Sequence, residues 1–252
     1  MVATLIKFVS QSNLMADKAL MHVENHRTGR GQLFRNIILG SQDGIVNVLG
    51  IILGVAVSTH SISIVLLAGL AATFAESISM AAVAYTASRA EQEHYDSEVK
   101  REKYEMDHLA DAERREIEDI YKAKGFSGKL LKQVVDKICS DKKVWLETMM
   151  REELKLENPI ASMSPFWQSV LVGGSAIIGS LVPLSPFFFL PIAESMIAAV
   201  AVSSGLLFLI GAYKSQLTSG KWLWGGLEMM LIGGTAAMAG YLVGALFQVP
   251  VA

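Results

Sequence analysis

A short polar N-terminus leads into two long apolar stretches that run to about residue 88, a run of charge follows, and three more apolar stretches begin near residue 165. Five stretches, at about 36–58, 63–88, 166–186, 188–213 and 225–248, each reach the roughly 20 apolar residues that a helix needs to cross a bilayer core. The first is the least clean, with Asn36, Gln42, Asp43 and Asn47 inside it. The third and fourth meet at Pro183-Leu184-Ser185-Pro186 and Pro191, a spacing that predicts a tight turn. Two full spans there give a total of five; a re-entrant hairpin would give four. Residues 90–121 hold no Pro or Gly and are rich in Glu, Arg, Lys and Ala, which predicts a helix running straight out of the second span. Gly125 and Gly128 end it, and a further helix is predicted at about 129–157, with Val134, Val135 and Ile138 apolar. The expectation is an all-α polytopic membrane protein with five transmembrane helices. Its parts are an N-terminal segment 1–35, transmembrane helices 1–2 in 36–88, a charged helical domain in 89–164, and transmembrane helices 3–5 in 165–252.

Composition agrees with a membrane protein and removes several other classes. Of 252 residues, 52% are hydrophobic and 18% charged, and mean hydropathy is +0.39; soluble domains carry about a quarter charged residues. A net charge of -2 with this apolar content excludes a disordered chain. With 22 Lys and Arg against 24 Asp and Glu there is no basic excess to hold nucleic acid. The single Cys139 excludes an intramolecular disulfide framework and a cysteine zinc cluster.

Residues 89–164 hold 18 of the 24 acids and 15 of the 22 Lys and Arg. The remaining basic residues lie in the first 35 positions and at Lys214 and Lys221, and the connections at 59–62 and 183–191 have none. Five spans starting inside then place the N-terminus, the charged domain and the 214–221 connection in the cytoplasm, and Gln248 to Ala252 outside. The apolar stretch 2–9 is broken by Lys7 and lacks the core of a cleavable signal, so the first span is expected to direct insertion.

Few acids lie in the apolar sequence: Asp43, Glu76, Glu194 and Glu228. A carboxylate at mid-bilayer costs roughly 2.5–3.5 kcal/mol on insertion scales. Asp43, Glu76 and Glu194 are expected deep in their spans, where no Lys or Arg is available as partner, so a proton or a metal ion is the natural counter-charge. Met80 follows Glu76 by one helical turn, and a carboxylate with a thioether suits a borderline divalent metal better than Mg²⁺ or Ca²⁺. Ordinary packing for Met80 and a hydrogen-bonded structural role for Glu76 are the alternatives, and Glu228 is placed to reach the interface. Gly40/Gly44, Gly50/Gly54 and Gly240/Gly244 have the spacing that lets membrane helices approach closely, within one subunit or between two. Phe74-Ala75-Glu76-Ser77 and Ile192-Ala193-Glu194-Ser195 form a faint internal repeat of a kind found in transporters, short enough for chance to produce it.

In the charged domain, at about 100° per residue, Glu91, Glu98, Glu102, Glu105, Glu113 and Glu116 fall in a wedge of about 80° on an unbroken helix. Like charges at this spacing destabilise a bare helix. Tyr95, Val99, Met106, Leu109, Ile117 and Ile120 lie in or beside the same wedge, so the stripe is expected to face another helix with cations neutralising it; a solvated acidic face is the alternative. Asp111 is placed to cap a second helix. Met149, Met150 and Glu153 share a face near the end of the next helix, again favouring a divalent transition metal, and there is no EF-hand loop. Two Glu-x-x-His pairs, Glu91/His94 and Glu105/His108, raise a ferritin-like di-iron site, which needs the two motifs on different helices. His22 and His26 are spaced to chelate a metal or to lie on a solvated face.

With these residues in view the chain resembles the vacuolar iron transporter family, from Arg35 to the last span. The likeness rests on Ser41-Gln42-Asp43-Gly44, Ile78-Ser79-Met80, Glu91 through Glu116 with His94-Tyr95, Trp145-Leu146-Glu147-Thr148-Met149-Met150 with Glu153, and Gly226-Leu227-Glu228-Met229-Met230-Leu231-Ile232-Gly233-Gly234. It implies a five-span homodimer in a vacuolar or cell membrane, moving Fe²⁺, and Mn²⁺ or similar ions, out of the cytosol in exchange for protons along a path between the subunits. It also implies a cytoplasmic metal site at Glu102, Glu105, Glu113, Glu116, Met149, Met150 and Glu153, open to Mn²⁺, Zn²⁺ or Co²⁺, and a membrane path at Asp43 and Met80. Asn36 and Ala72 stand where the family often has acids, and Glu76, one turn from Ala72 on the same face, is expected to take over the second role. Two other classes fit the residues: a membrane-anchored iron buffer or sensor without transport, and a ferritin-like oxidising enzyme.

Overall fold

The structure is a computed structural model that describes residues 28–159, 163–218 and 220–247. The expectations for His22/His26, for the rest of the first 27 residues and for Gln248 to Ala252 fall outside the described residues. The elements are helical: α1 (Thr28–Thr59), α2 (Ile62–His108), α3 (Ala110–Ala123), α4 (Gly128–Cys139), α5 (Lys142–Thr148), a π-helical turn (Met149–Glu153), α6 (Pro165–Leu184), a 3₁₀ turn (Ser185–Phe188), α7 (Ile192–Thr218) and α8 (Trp222–Leu246).

Five of these helices, α1, α2, α6 with its 3₁₀ turn, α7 and α8, are long and apolar enough to cross a membrane. The pair around Pro183 and Pro186 consists of 24 and 27 residues, each long enough for a full span, which agrees with five candidate spans rather than four. Glu194 differs from expectation. It lies in the first turn of α7 and is exposed, at the end of a span rather than deep within it.

α1 is the centre of the bundle, packed against α6, α8 and α2 and more lightly against α7. Val48, Leu49, Ile52 and Leu53 of α1 join Val65, Leu184, Phe187, Ala199 and Ala237 in one buried cluster. The glycine pairs turn out to serve contacts within the chain. A Cβ on Gly44 would sit 2.7 Å from Ser180 Oγ of α6, and one on Gly54 would sit 2.8 Å from the Gly240 carbonyl oxygen of α8. The helices approach this closely because the glycines carry no side chain, and at Gly54 and Gly240 both sides lack one.

α2 carries its helix 47 residues without a break, from the apolar bundle far into the charged region. The unbroken helix expected at 90–121 is not observed. α2 ends at His108, Leu109 leaves helical geometry (φ -126°, ψ 32°), and α3 starts at Ala110 with no side-chain cap from Asp111. The reason is tertiary. Asp107 is tied to Lys142 at the start of α5, and Met106 and Ile117, on either side of the break, are buried together with Leu131, Val135, Ile138, Trp145 and Met149. Gly125 (φ +95°) follows α3 in the left-handed region that glycine enters freely. The helix expected at 129–157 is likewise divided. Asp141 accepts hydrogen bonds from the Lys143 and Val144 amides, so it ends one helix and caps the next.

Candidate metal centre and membrane path

The break at Leu109 creates the first site. Eleven residues separate Glu102 from Glu113, about 16 Å along a continuous helix. Folded across the break, carboxylate oxygens of Glu102, Glu105 and Glu113 lie within 4.8 Å of one another. Glu102 and Glu113 are 1% and 3% exposed, and one oxygen of each has no hydrogen-bond partner. A buried carboxylate without a partner is costly, and a proton or a cation relieves it.

Two more predicted ligands act on the cluster through charge. Glu116, one turn after Glu113, and Glu153, at the end of the π-helical turn, are both exposed and both interact with it. Burial, followed by repulsion from Glu116, Glu102, Glu105 and Glu153, pushes Glu113 up to about 7. Glu153 is also pushed up to about 7, by partial desolvation of its carboxylate and then by Glu116 and Glu102, against the pull of Arg101. Glu102 moves in the same direction through burial and Glu105, with Arg101 opposing.

Met149 and Met150 are buried in the π-helical turn, where the Leu154 amide reaches back to the Met149 carbonyl at 3.2 Å. Met149 packs with Met106 and Ile117, one turn beyond Glu102 and Glu113 respectively. The other glutamates of the stripe stay apart. Glu98 pairs with Arg101, and Glu91 is exposed. Both Glu-x-x-His motifs lie on α2, so they do not face each other across two helices as a di-iron site requires; His108 instead stacks on Tyr104.

The second site lies in the bundle. Asp43 of α1 is half-buried and interacts with Glu76 of α2. Asn47, one turn beyond Asp43, donates from Nδ2 to Glu76 Oε1 at 2.6 Å, while Glu76 Oε2 is buried without a partner. The partner that the bundle gives Glu76 is thus an amide and not a cation. Met80 is half-buried one turn along α2. Ala72 packs against the apolar core. Asn36, two turns before Asp43, is buried and its amide nitrogen makes no hydrogen bond. From Asn47 a cavity of about 720 Å³ extends along α1 past Gly50 and Gly54 to Ser58 and Thr59, with Phe247 at its far end.

Sequence reasoning missed Asn47 as the partner of Glu76 and Arg101 as the cation of the glutamate cluster. The signal for Arg101 was present, since it stands three residues after Glu98 and four before Glu105.

Together these features define a polytopic helical membrane protein with an acidic, thioether-containing site in its bundle and a glutamate cluster at the end of one of its spanning helices. Residues 34–245 match the model of the VIT family, and the chain belongs to that family. It is 33% identical over 221 residues to the vacuolar iron transporter of Centaurea cyanus, covering 87% of this chain and 89% of that protein. It is also 33% identical over 233 residues to vacuolar iron transporter 1 of Oryza sativa subsp. japonica, covering 90% and 92%. With vacuolar iron transporter 1 of Arabidopsis thaliana it shares 31% over 228 residues, 90% of each chain. These relatives are transporters and not enzymes, which removes the ferritin-like oxidising reading.

Proposed function

We propose that this chain moves Fe²⁺, and Mn²⁺ with it, out of the cytosol in exchange for protons. The observation that carries the reading is the course of α2, which bears Glu76 and Met80 in the bundle and Glu102 and Glu105 about 33 Å beyond Met80. Its relatives are named as iron transporters. The glutamates with Met149 and Met150 collect the ion in the cytoplasm, at a site that also accepts Zn²⁺ or Co²⁺. Carboxylates holding their protons to about pH 7 bind a divalent ion by exchanging those protons for it.

Asp43, Glu76 and Met80 then pass the ion through the bilayer, Asn36 stands at the cytoplasmic approach, and the cavity beyond Asn47 leads away on the far side. Protonation of the path carboxylates releases metal there and resets the carrier. In this reading 1–35 and 89–164 are cytoplasmic, 36–88 and 165–252 form the membrane part, and the membrane is vacuolar or cellular.

The path face of α1 is open in a single chain, with Leu39, Asn47 and Ile51 exposed around half-buried Asp43. Lipid offers no partner for a carboxylate, so a second copy of the chain covers this face and the working unit is a homodimer.

Fe²⁺ uptake into liposomes tests the reading with three proteins. The wild type takes up metal. Asp43→Asn does not. A Glu102/Glu105/Glu113→Gln variant keeps slow residual uptake. Metal bound by a wild type that moves none favours the buffer or sensor instead.

A further inference from the structure

Arg101 is the basic residue that the structure sets among the cluster carboxylates. Its Nη2 lies 2.7 Å from Glu98 Oε2 and 3.5 Å from Glu102 Oε1, and its Nε lies 3.9 Å from Glu105 Oε2. The other basic side chains of the region with described ion pairs are committed elsewhere. Arg89 pairs with Glu93, Arg114 with Asp136, Lys124 with Glu152, Lys142 with Asp107, and Arg151 with Glu147, none of them cluster acids, while His94 Nδ1 stands 4.0 Å from Glu98 Oε1. A guanidinium has donors and no lone pair, so it cannot ligate a metal; on these oxygens it can only occupy the directions an ion would use.

We infer that Arg101 is a built-in competitor for the divalent ion, and that its pairing with Glu98 sets how weakly the glutamate cluster holds metal. The inference rests on reading the cluster as a metal-collecting site. With no ion bound, Arg101 offsets part of the repulsion among Glu102, Glu105 and their neighbours. When an ion arrives, the guanidinium gives up Glu102 and Glu105 and keeps Glu98, its nearest partner. Its side chain is 50% exposed, so water solvates it in either position and the exchange is easy. A site that must hand its ion onward needs such moderate affinity, and a full positive charge within about 4 Å of the ligand oxygens supplies it.

The test is calorimetric titration of the full-length detergent-solubilised protein with Mn²⁺, at fixed pH and salt. Arg101→Gln is expected to tighten binding by about tenfold or more. Arg101→Lys, which restores the charge, is expected to return it to within a few-fold of wild type. Glu98→Gln is expected to weaken binding, because Arg101 then settles on Glu102 and Glu105, and this effect is expected to shrink in the Arg101→Gln background. Unchanged or weaker binding by Arg101→Gln overturns the inference while leaving the metal site standing. So does a Lys variant that behaves like the Gln variant, since packing rather than charge would then be responsible. A wild type that binds no Mn²⁺ overturns the metal-site reading and the inference with it.

Discussion

Glu113 and Glu153 hold their protons to about pH 7, well above the ordinary carboxyl value of 4.5, because loss of solvent and neighbouring glutamates both disfavour the charged form. A group raised in the folded state lends stability that is complete below its unfolded value and is lost as pH climbs through the folded one. The metal-free protein is therefore expected to lose thermal stability between about pH 4.5 and pH 7, and a divalent ion added near pH 8 to restore it; a Tm that rises over that interval contradicts the assignment. Mn²⁺ affinity has the opposite slope and strengthens as pH passes through 7, which titrations at a series of pH values check. Glu113→Gln is expected to weaken Mn²⁺ binding by about tenfold or more while stabilising the metal-free protein near pH 8. Glu113 was legible in the sequence as part of a helical stripe, and Glu153 as part of one face of a later helix with Met149 and Met150. The Asn47–Glu76 bond was not, because its partners are 29 positions apart on helices whose rotation only packing sets.

Helix ends explain what local pattern missed. The stripe put six glutamates in one wedge, whereas the structure gathers Glu102, Glu105 and Glu113 across a break, since on one straight helix Glu102 and Glu113 never meet. Leu109 carries no breaker residue, and the turn there is imposed by the shared core of Met106, Ile117 and Met149 and by the Asp107–Lys142 pair. Asp141, by contrast, is a readable cap. Asp141→Ala is expected to cost about 1 kcal/mol and, by loosening α5 and the π-helical turn behind it, to weaken Mn²⁺ binding; calorimetry and thermal unfolding read both. In the bundle the glycine spacing was readable and its partners were not. Gly54→Ala forces a methyl against the Gly240 carbonyl and is expected to destabilise by about 1–3 kcal/mol, whereas Gly174→Ala, with open space at its Cβ, is expected to be neutral.

The whole molecule joins two candidate sites on one helix, and the division into apolar spans and a charged region was legible in outline because bilayer thickness forces about 20 apolar residues per span and leaves charge nowhere else to go. Depth within a span was harder to read. Glu194 sits at a helix end because α7 begins only after Pro191, later than the start at about 188 read from the sequence. The open face of α1 around Asp43 calls for a partner, so native mass measurement in lipid nanodiscs is expected to give two copies of the chain, and a monomer that still transports removes the need for one. The most direct test of the account is Fe²⁺ uptake by liposomes with an acidic interior, comparing wild type with Glu76→Gln. The account predicts gradient-stimulated uptake by the wild type and none by a folded Glu76→Gln protein; uptake indifferent to the gradient, or equal in the two proteins, contradicts it.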